Sequence, residues 1–249
     1  MKKTTAQIRS ATGLKAFKVV PPAQWLKARK KLLAKEKEFT RLRDQLSHQR
    51  RALPWEPVEK KYVFDGPKGK ETLAELFDGK SQLIVYHFMF APEDDAGCKS
   101  CSFWADNFNG IDVHLRHRDT SFVAISRAPY KKLKAYQKRL GWSFKWLSAL
   151  ETDFPYDYYS SFTPEQEASG KAMVNYEIDE PWGPDTVAIS VFTRDTKGRV
   201  YHSYSCYSRG VDMMNGAYHY LDLTPKGRDE SDQKPHAQAW VRRHDEYDD

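Results

Sequence analysis

Two cysteines separated by two residues, Cys98 and Cys101, follow the most apolar run of the chain, residues 83–90. Thiol–disulfide exchange needs one thiolate that attacks and a second thiol close enough to resolve the mixed disulfide. In the first turn of a helix, residues three apart share a face. The helix N-terminus and the positive charge of Lys99 both favour a thiolate at Cys98. We therefore expect a redox dithiol with Cys98 as nucleophile and Cys101 as resolving thiol.

Four further residues are candidates for the surroundings of this thiolate or for substrate contact. Gly97 allows a tight turn before the helix. His87, in the predicted buried strand, is either a proton carrier or a hydrogen-bonded core residue. Arg127 ends the next predicted strand at the same sheet edge as Cys98, where it either steadies an anion or forms a surface ion pair. Trp104 either lines an apolar pocket with other tryptophans or packs in the core.

The cysteines have two other interpretations. Together with His114 and His117, Cys98 and Cys101 come close to the ligand spacing of a zinc finger. Histidines three apart point less readily at one ion, and a finger would replace the helix that the next strand requires. We therefore predict no metal and no cofactor. The remaining interpretation is a pair of inert reduced thiols, and we expect Cys206 to be a small buried residue.

Composition limits the class of protein. Of the 249 residues, 30% are charged and 14% are aromatic, which is typical of a folded globular protein with long polar segments. The polar first ten residues resemble neither a signal peptide nor a membrane segment. Only three cysteines occur, so a structural disulfide framework is not expected. We predict a cytoplasmic location.

The net charge of +6 is unevenly distributed along the chain. Basic residues dominate the first fifty positions, where Trp25, Leu32, Phe39 and Leu46 recur every seven residues. This spacing predicts an amphipathic helix of about six turns. Its basic face could contact nucleic acid or an acidic membrane, but a solvated face on a helix that docks to the body or to a second subunit is the ordinary case. We predict no nucleic-acid or membrane partner and consider a homodimer through this helix.

The elements after residue 53 alternate as in α/β proteins. A strand at 83–90, a helix at 98–116 and a strand at 121–126 predict two parallel strands joined by a crossover. A helix at 130–140 follows. Two strands at 186–193 and 199–204, joined by a tight turn, and a helix at 211–221 complete the pattern. We predict βαβ followed by ββα, a central mixed sheet flanked by helices.

These segments resemble a thioredoxin-like bacterial family, domain of unknown function 899, whose members are labelled predicted dithiol-disulfide oxidoreductases or isomerases. The similar stretches are residues 25–44, 53–55, 86–90, 97–103, 126–129, 141–142 and 204–210. The resemblance implies a thioredoxin-like core in which Cys98 and Cys101 are the redox pair. We predict a basic helical arm at 1–52, a thioredoxin-like domain at 53–225 and a polar acidic tail at 226–249.

The chain departs from thioredoxins at two positions. The tryptophan that usually precedes the first active-site cysteine is Gly97. Thioredoxins also place a cis-proline at the entry of the strand that faces the dithiol, whereas residues 186–191 contain no proline and Pro184 is the nearest. We expect the docking of a substrate peptide beside the dithiol to be affected.

Two alternatives to a thiol–disulfide oxidoreductase remain. A peroxiredoxin-like peroxidase needs a Pro-x-x-x-Thr-x-x-Cys loop, but the matching positions are Ala91 and Asp95 before Cys98, and Asp94 and Cys98 before Cys101. This disfavours peroxide reduction. The other alternative is a non-catalytic binding or assembly module. We predict exchange with an unknown protein or small-thiol partner.

Overall fold

The computed structural model describes residues 7–8 and 17–247, which divide into two compact units. The first unit comprises Met1–Leu53 with Leu221–Arg228. Its described elements are a short antiparallel pair, β1 (Gln7–Ile8) and β2 (Phe17–Lys18), and one long helix, α1 (Pro22–Arg51). The helix has 30 residues, about eight turns, so it is longer than predicted. Whether α1 pairs with a second copy stays a prediction.

The second unit comprises Pro54–Tyr220 with Asp229–Asp249. Its strands are β3 (Glu56–Pro57), β4 (Val63–Gly66), β5 (Gly69–Thr72), β6 (Gln82–His87), β7 (Thr120–Ser126), β8 (Lys145–Ser148), β9 (Ala172–Val174), β10 (Glu177–Asp179), β11 (Ala188–Arg194) and β12 (Val200–Tyr207). Its helices are α2 (Lys99–Ala105), α3 (Ile111–His117), α4 (Tyr130–Arg139), α5 (Phe154–Asp157), α6 (Pro164–Ser169) and α7 (Gly216–Leu221), the last of which ends at the unit boundary. Short 3₁₀ turns span Glu75–Phe77 and Ser208–Met214.

The order of the strands confirms the predicted thioredoxin-like fold. Eight strands form one sheet in the order β3-β12-β11-β6-β7-β8-β4-β5. Strand β6 pairs in parallel with β7, while β11 pairs antiparallel with both β6 and β12. Helices α2 and α3 connect the parallel pair, and α7 follows β12. This is βαβ followed by ββα around a mixed sheet.

The single helix predicted over 98–116 was wrong, because the chain breaks between α2 and α3. The Asn107 side chain donates to the carbonyl oxygens of Phe103 at 3.0 Å and Trp104 at 3.2 Å. These bonds give hydrogen-bond partners to carbonyl oxygens at the end of α2. Gly110 then has a φ of +86°, which favours glycine and is incompatible with a continuing helix. Strand β8 was also missed, within an aromatic stretch.

Both faces of the sheet are packed, so the central strands are buried. All seven residues of β7 are buried. One face carries a core cluster: Tyr62, Phe64, Leu73, Leu76, Phe77, Leu83, Val85, Val123, Ile125, Leu147, Ala149, Phe154, Tyr158 and Phe192. Tyr86 alternates with Val85 and points to the opposite face, where its ring contacts Phe108 at 4.8 Å between centroids. Within the described part of the chain, no helix is both long and apolar enough to cross a membrane.

Strands β11 and β12 contain a register shift. Val191 pairs with Tyr204 and Phe192 pairs with His202, so Ser203 is an extra residue on β12. Such a bulge changes which side chains of the strand share a face.

Candidate active site

The dithiol lies at the carboxyl end of β6. Cys98 directly precedes α2, and its backbone N–H donates to the carbonyl oxygen of Met89 at 3.1 Å. Cys98 is half-buried, whereas Cys101 is only 1% exposed. The two thiols are not joined by a disulfide. An outer thiol that solvent reaches and an inner thiol that it does not are the arrangement that stepwise exchange needs.

The two thiols have different pKa values because the Cys101 thiol stabilises the ionised form of Cys98. The Cys101 thiol donates to the Cys98 sulfur, and this contact is the main cause that lowers the pKa of Cys98 to about 7. Burial opposes the effect, while the N–H groups of Cys101 and Ser100 and the charge of Arg243 support it. Burial raises the pKa of Cys101, and the neighbouring Cys98 raises it further. Cys98 is therefore the more acidic thiol of the pair, and its role as nucleophile stays a prediction.

Tyr86 provides a third polar group beside the thiols. Its hydroxyl is fully buried and makes no hydrogen bond to a described nitrogen or oxygen atom. It acts on Cys101, whose pKa it lowers against the larger effect of burial, and the N–H of Met89 acts in the same direction. Burial raises the pKa of Tyr86 itself. The hydroxyl therefore stays protonated and is a donor for an ionised Cys101.

The cation that acts on Cys98 comes from the end of the chain and not from the expected neighbour. The Arg243 guanidinium donates to the Gly97 carbonyl oxygen at 2.8 Å and to the Tyr136 hydroxyl at 2.6 Å. It also contacts the Glu246 carboxylate at 2.8 Å. Lys99 is exposed, and Arg243 is the cation among the main causes that lower the pKa of Cys98. Sequence reasoning missed Arg243.

Gly97 is required by close packing. A Cβ atom at this position would lie 2.7 Å from a ring carbon of Phe88 and 3.1 Å from a ring carbon of Tyr136. Its backbone does not adopt a positive φ. Close packing, and not the tight turn that we expected, therefore explains glycine at this position.

Two other predicted site residues, Arg127 and Trp104, bond to protein groups outside the dithiol. Arg127 forms a bidentate ion pair with Asp185 at 2.8 and 3.1 Å. Trp104 is buried and donates to the Val211 carbonyl oxygen at 2.9 Å. Arg127 thus forms the ion pair of the two expected roles, and Trp104 packs in the core.

His87 is a buried, doubly hydrogen-bonded histidine. Its Nδ1 lies 2.7 Å from the Ser160 hydroxyl and its Nε2 lies 2.9 Å from the Ser190 hydroxyl. Burial lowers the pKa of His87 to about 3, and the nearby His202 contributes. The ring is therefore neutral at physiological pH.

At the entry of β11, where thioredoxins place a cis-proline, this chain has Thr186 and Val187 ahead of Ala188. The backbone N–H of Thr186 donates to the Ser160 carbonyl oxygen at 2.9 Å, a bond that proline could not make. Pro184 lies two residues earlier, where its carbonyl oxygen accepts from the Phe162 N–H at 2.9 Å. The entry to β11 is thus tied to the segment after α5.

The remaining sulfur and histidine groups do not form a further site. Among the described residues, no three His, Cys, Asp or Glu side chains come together as metal ligands. His114 and His117 lie on α3, separate from the helix of the dithiol. Cys206 is half-buried and lies 3.5 Å from the Gly210 carbonyl oxygen.

Residues 14–247 match the profile of a family described as bacterial protein of unknown function (DUF899). The chain belongs to this family. The resemblance recognised in the sequence is thereby confirmed, and it covers both cysteines. Among curated proteins, none matches this chain.

Solved structures with related folds are remote. A Xanthomonas campestris bacterioferritin comigratory protein has a TM-score of 0.45 at 10% identity, with 66% of this chain and 96% of that chain covered. Mycobacterium tuberculosis peroxidoxin BcpB has a TM-score of 0.43 at 14% identity, with 65% and 93% covered. A putative thiol:disulfide interchange protein DsbE from Chlorobium tepidum has a TM-score of 0.38 at 15% identity, with 70% and 99% covered. The fold assignment above therefore rests on the strand order and connections.

Proposed function

We propose that this protein is a dithiol-disulfide oxidoreductase in which Cys98 attacks and Cys101 resolves. The observation that carries the proposal is the asymmetry of the pair, a half-buried thiol with a lowered pKa beside a buried thiol with a raised pKa. A thiolate near neutral pH is the reactive form for exchange. A buried partner reacts only after the first sulfur has been captured.

The exchange proceeds in two displacements. The Cys98 thiolate attacks one sulfur of a substrate disulfide, which forms a Cys98–substrate bond and releases the other sulfur as a thiolate that takes a proton. Cys101 then loses its proton and attacks the Cys98 sulfur, which closes the Cys98–Cys101 disulfide and releases the second substrate thiol. The substrate gains two electrons and two protons, and the dithiol supplies the electrons.

The contacts of Thr186 and of the Arg127–Asp185 ion pair favour a substrate that does not dock as a peptide docks on a cis-proline loop. A peptide that docks on a cis-proline loop would find the N–H of Thr186 already bonded to Ser160 and the Arg127 charge already paired. We therefore propose a dedicated protein or small-thiol partner. We place the reaction in the cytoplasm, where the reduced thiols of Cys98 and Cys101 are compatible with a reducing environment.

Reaction with 5,5′-dithiobis(2-nitrobenzoate) tests the proposal, with Cys206→Ser as the background for every variant. With Cys98 and Cys101 intact, we expect rapid release of two chromophores per chain, because Cys101 resolves the first adduct. Cys101→Ser should release one chromophore and retain a stable adduct on Cys98. Cys98→Ser should react slowly.

The opposite result is equally clear. If Cys98 reacts no faster than a free thiol at the same pH, and mild oxidant forms no Cys98–Cys101 disulfide, the chain is a non-catalytic module. Insulin reduction with dithiothreitol then separates a general from a dedicated reductant, because a dedicated enzyme passes the first test and leaves insulin intact.

A further inference from the structure

Six polar side chains form a continuous hydrogen-bonded chain through the core of the second unit. It starts at Ser160, whose hydroxyl lies 2.7 Å from Nδ1 of His87. Nε2 of His87 lies 2.9 Å from the Ser190 hydroxyl, which lies 2.9 Å from the Ser205 hydroxyl. These four residues are at most 4% exposed. Each of these buried polar groups has a hydrogen-bond partner, so the network is satisfied within the core.

This series of hydrogen-bonded side chains ends at the protein surface. The Ser205 hydroxyl lies 2.7 Å from Nε2 of His202, whose side chain is 16% exposed. Nδ1 of His202 lies 3.4 Å from the Glu56 carboxylate, which is 77% exposed. Solvent therefore reaches one end of the chain.

The bulge of β12 makes this connection possible. His202 and Ser205 are three residues apart, and in a regular strand they would point to opposite faces of the sheet. The extra residue Ser203 brings His202 opposite Phe192, with ring centroids 5.5 Å apart. His202 consequently shares a face with Ser205.

All the hydrogen bonds between these side chains are donated in the same direction. The Ser160 hydroxyl donates to the Pro155 carbonyl oxygen at 3.0 Å, so its oxygen accepts from Nδ1–H of His87. The Ser205 hydroxyl donates to Ser190, so the Ser190 hydroxyl donates to Nε2 of His87. Each hydroxyl has one proton, and Ser205 therefore accepts from Nε2–H of His202. The direction runs from the surface to Ser160.

The inner end opens into a small cleft lined by residues at the ends of β6 and β7. His87, Ser160, Met89, Arg127 and Thr186 are among its lining residues. Met89 also holds the dithiol, because its carbonyl oxygen accepts from the Cys98 N–H. One residue thus belongs to both the cleft and the redox site.

We propose that this chain conducts protons between solvent at His202 and the cleft beside Met89. The proposed path rests on the proposed redox function for its use, because exchange creates and consumes thiolates at this edge of the sheet. Neutral His87 is suited to the task, since burial that lowers its pKa to about 3 prevents it from trapping the proton.

The protons balance along the path. A substrate thiolate released into the cleft takes the Ser160 proton, and Ser160 takes the Nδ1 proton of His87. His87 takes a proton at Nε2 from Ser190, Ser190 takes one from Ser205, and Ser205 takes one from Nε2 of His202. His202 takes a proton at Nδ1 from solvent beside Glu56. When a partner thiol later reduces the Cys98–Cys101 disulfide, its proton leaves by the same path and the original arrangement returns.

Imidazole proton exchange in the reduced protein tests the path without any substrate. In ¹⁵N-histidine-labelled protein we expect His87 as the Nδ1–H tautomer. After transfer to D₂O, the Nδ1 proton of His87 should exchange with solvent on the order of tenfold more slowly in Ser190→Ala than in the wild type. In this variant, solvent can reach the proton only when the protein opens locally. A purely structural role predicts the opposite sign, since a weakened core opens more often.

Ser121→Ala is the matched control, because Ser121 is a buried strand serine that donates to the Phe77 carbonyl oxygen at 2.7 Å. This hydrogen bond is not part of the series that contains His87. It should leave exchange at His87 unchanged. Ser205→Ala breaks the next link and should slow exchange as Ser190→Ala does, which keeps the test available if one variant fails to fold. Equal or faster exchange in both variants, or an Nε2–H tautomer, overturns the proposed path.

Failure of the path and failure of the redox function are distinguishable. Ser190→Ala should leave the alkylation rate of Cys98 unchanged while slowing the reduction of a disulfide substrate. If the wild type shows no exchange with disulfides, the redox function fails and the proton measurement still decides whether the path exists.

Discussion

The Arg243 guanidinium lies 2.8 Å from the carbonyl oxygen of Gly97, 146 residues earlier in the chain. Gly97 directly precedes Cys98, so this bond holds a cation beside the reactive thiol. The same guanidinium contacts Glu246, which leaves one of its edges for Gly97 and Tyr136. The C-terminal segment is therefore part of the redox site.

Replacing Arg243 should make Cys98 less reactive. In Arg243→Ala the pKa of Cys98 should rise, because the cation that favours its thiolate is gone. Iodoacetamide alkylation at pH 6.5 should slow by roughly threefold. Arg242→Ala is the matched control, since the Arg242 guanidinium donates to the nearby carbonyl oxygens of Ala239 and Val241. Equal rates in both variants would show that Arg243 only holds the segment in place.

Alkylation of the two cysteines should depend differently on pH. The lowered pKa of Cys98, about 7, predicts half-maximal reactivity near neutral pH. The raised pKa of Cys101 predicts little reaction over the same range. Peptide mapping after alkylation from pH 5 to 9 measures both. A midpoint for Cys98 at or above 8.5, the ordinary thiol value, would contradict the prediction.

The stability of the reduced protein should follow the same ionisation. The folded-state pKa of Cys98 lies below its unfolded value, so its contribution is fully present above the unfolded pKa and is lost as pH falls through about 7. Because Cys98 is partly exposed, we expect a contribution of about 1 kcal/mol. Urea denaturation of the wild type and Cys98→Ser should therefore diverge between pH 6 and 8.5, with the wild type gaining. Parallel curves would exclude a thiolate in the folded state.

Tyr86→Phe should raise stability and slow the second displacement. The variant removes a buried hydroxyl that has no nitrogen or oxygen partner among the described residues, so folding should become more favourable by about 1 kcal/mol. The Cys101 thiolate loses a donor, so the adduct on Cys98 should live longer. Stopped-flow release of the second chromophore measures this step.

Tyr207→Phe provides the comparison for Tyr86. The Tyr207 hydroxyl is also buried, but it donates to the Tyr158 carbonyl oxygen at 3.1 Å. Its removal should reduce stability and leave resolution unchanged. A loss of stability in Tyr86→Phe would mean that the hydroxyl is bonded more strongly than its position indicates.

Gly97→Ala should disturb the site through a steric clash. The added methyl group would lie 2.7 Å from the Phe88 ring, and overpacking of this kind costs about 1–3 kcal/mol. Thermal unfolding measures the loss. Combining the change with Phe88→Leu should recover part of it, because the ring carbons that clash are removed. Additive losses in the double variant would point to a backbone effect instead.

The sequence was sufficient where the signals are local. An apolar run, a Cys-x-x-Cys and a tight turn at residues 195–198 correctly indicated β6, α2 and the β11–β12 hairpin. The spacing did not reveal the break after Ala105, because Asn107 and Gly110 act through one side-chain contact and one backbone angle. Neither leaves a periodic trace.

Long-range contacts were beyond prediction for a physical reason. Arg243 stands in a polar segment whose composition resembles a solvated tail, and nothing local relates it to Gly97. The sequence contains one weak sign of the hydrogen-bonded hydroxyls. Ser190 interrupts the apolar residues of β11 on the face that carries Phe192. Its link to His202 depends on the bulge, which only the pairing of two strands defines.

The contact between Arg243 and Gly97 also has a consequence for biosynthesis. A ribosome makes the chain from its N-terminus, so both cysteines and the whole sheet emerge before position 243. While position 243 is still in the exit tunnel, Cys98 lacks the cation that favours its thiolate. Until this position emerges, the nascent protein should therefore be less prone to form mixed disulfides, because the dithiol has not yet reached its full reactivity.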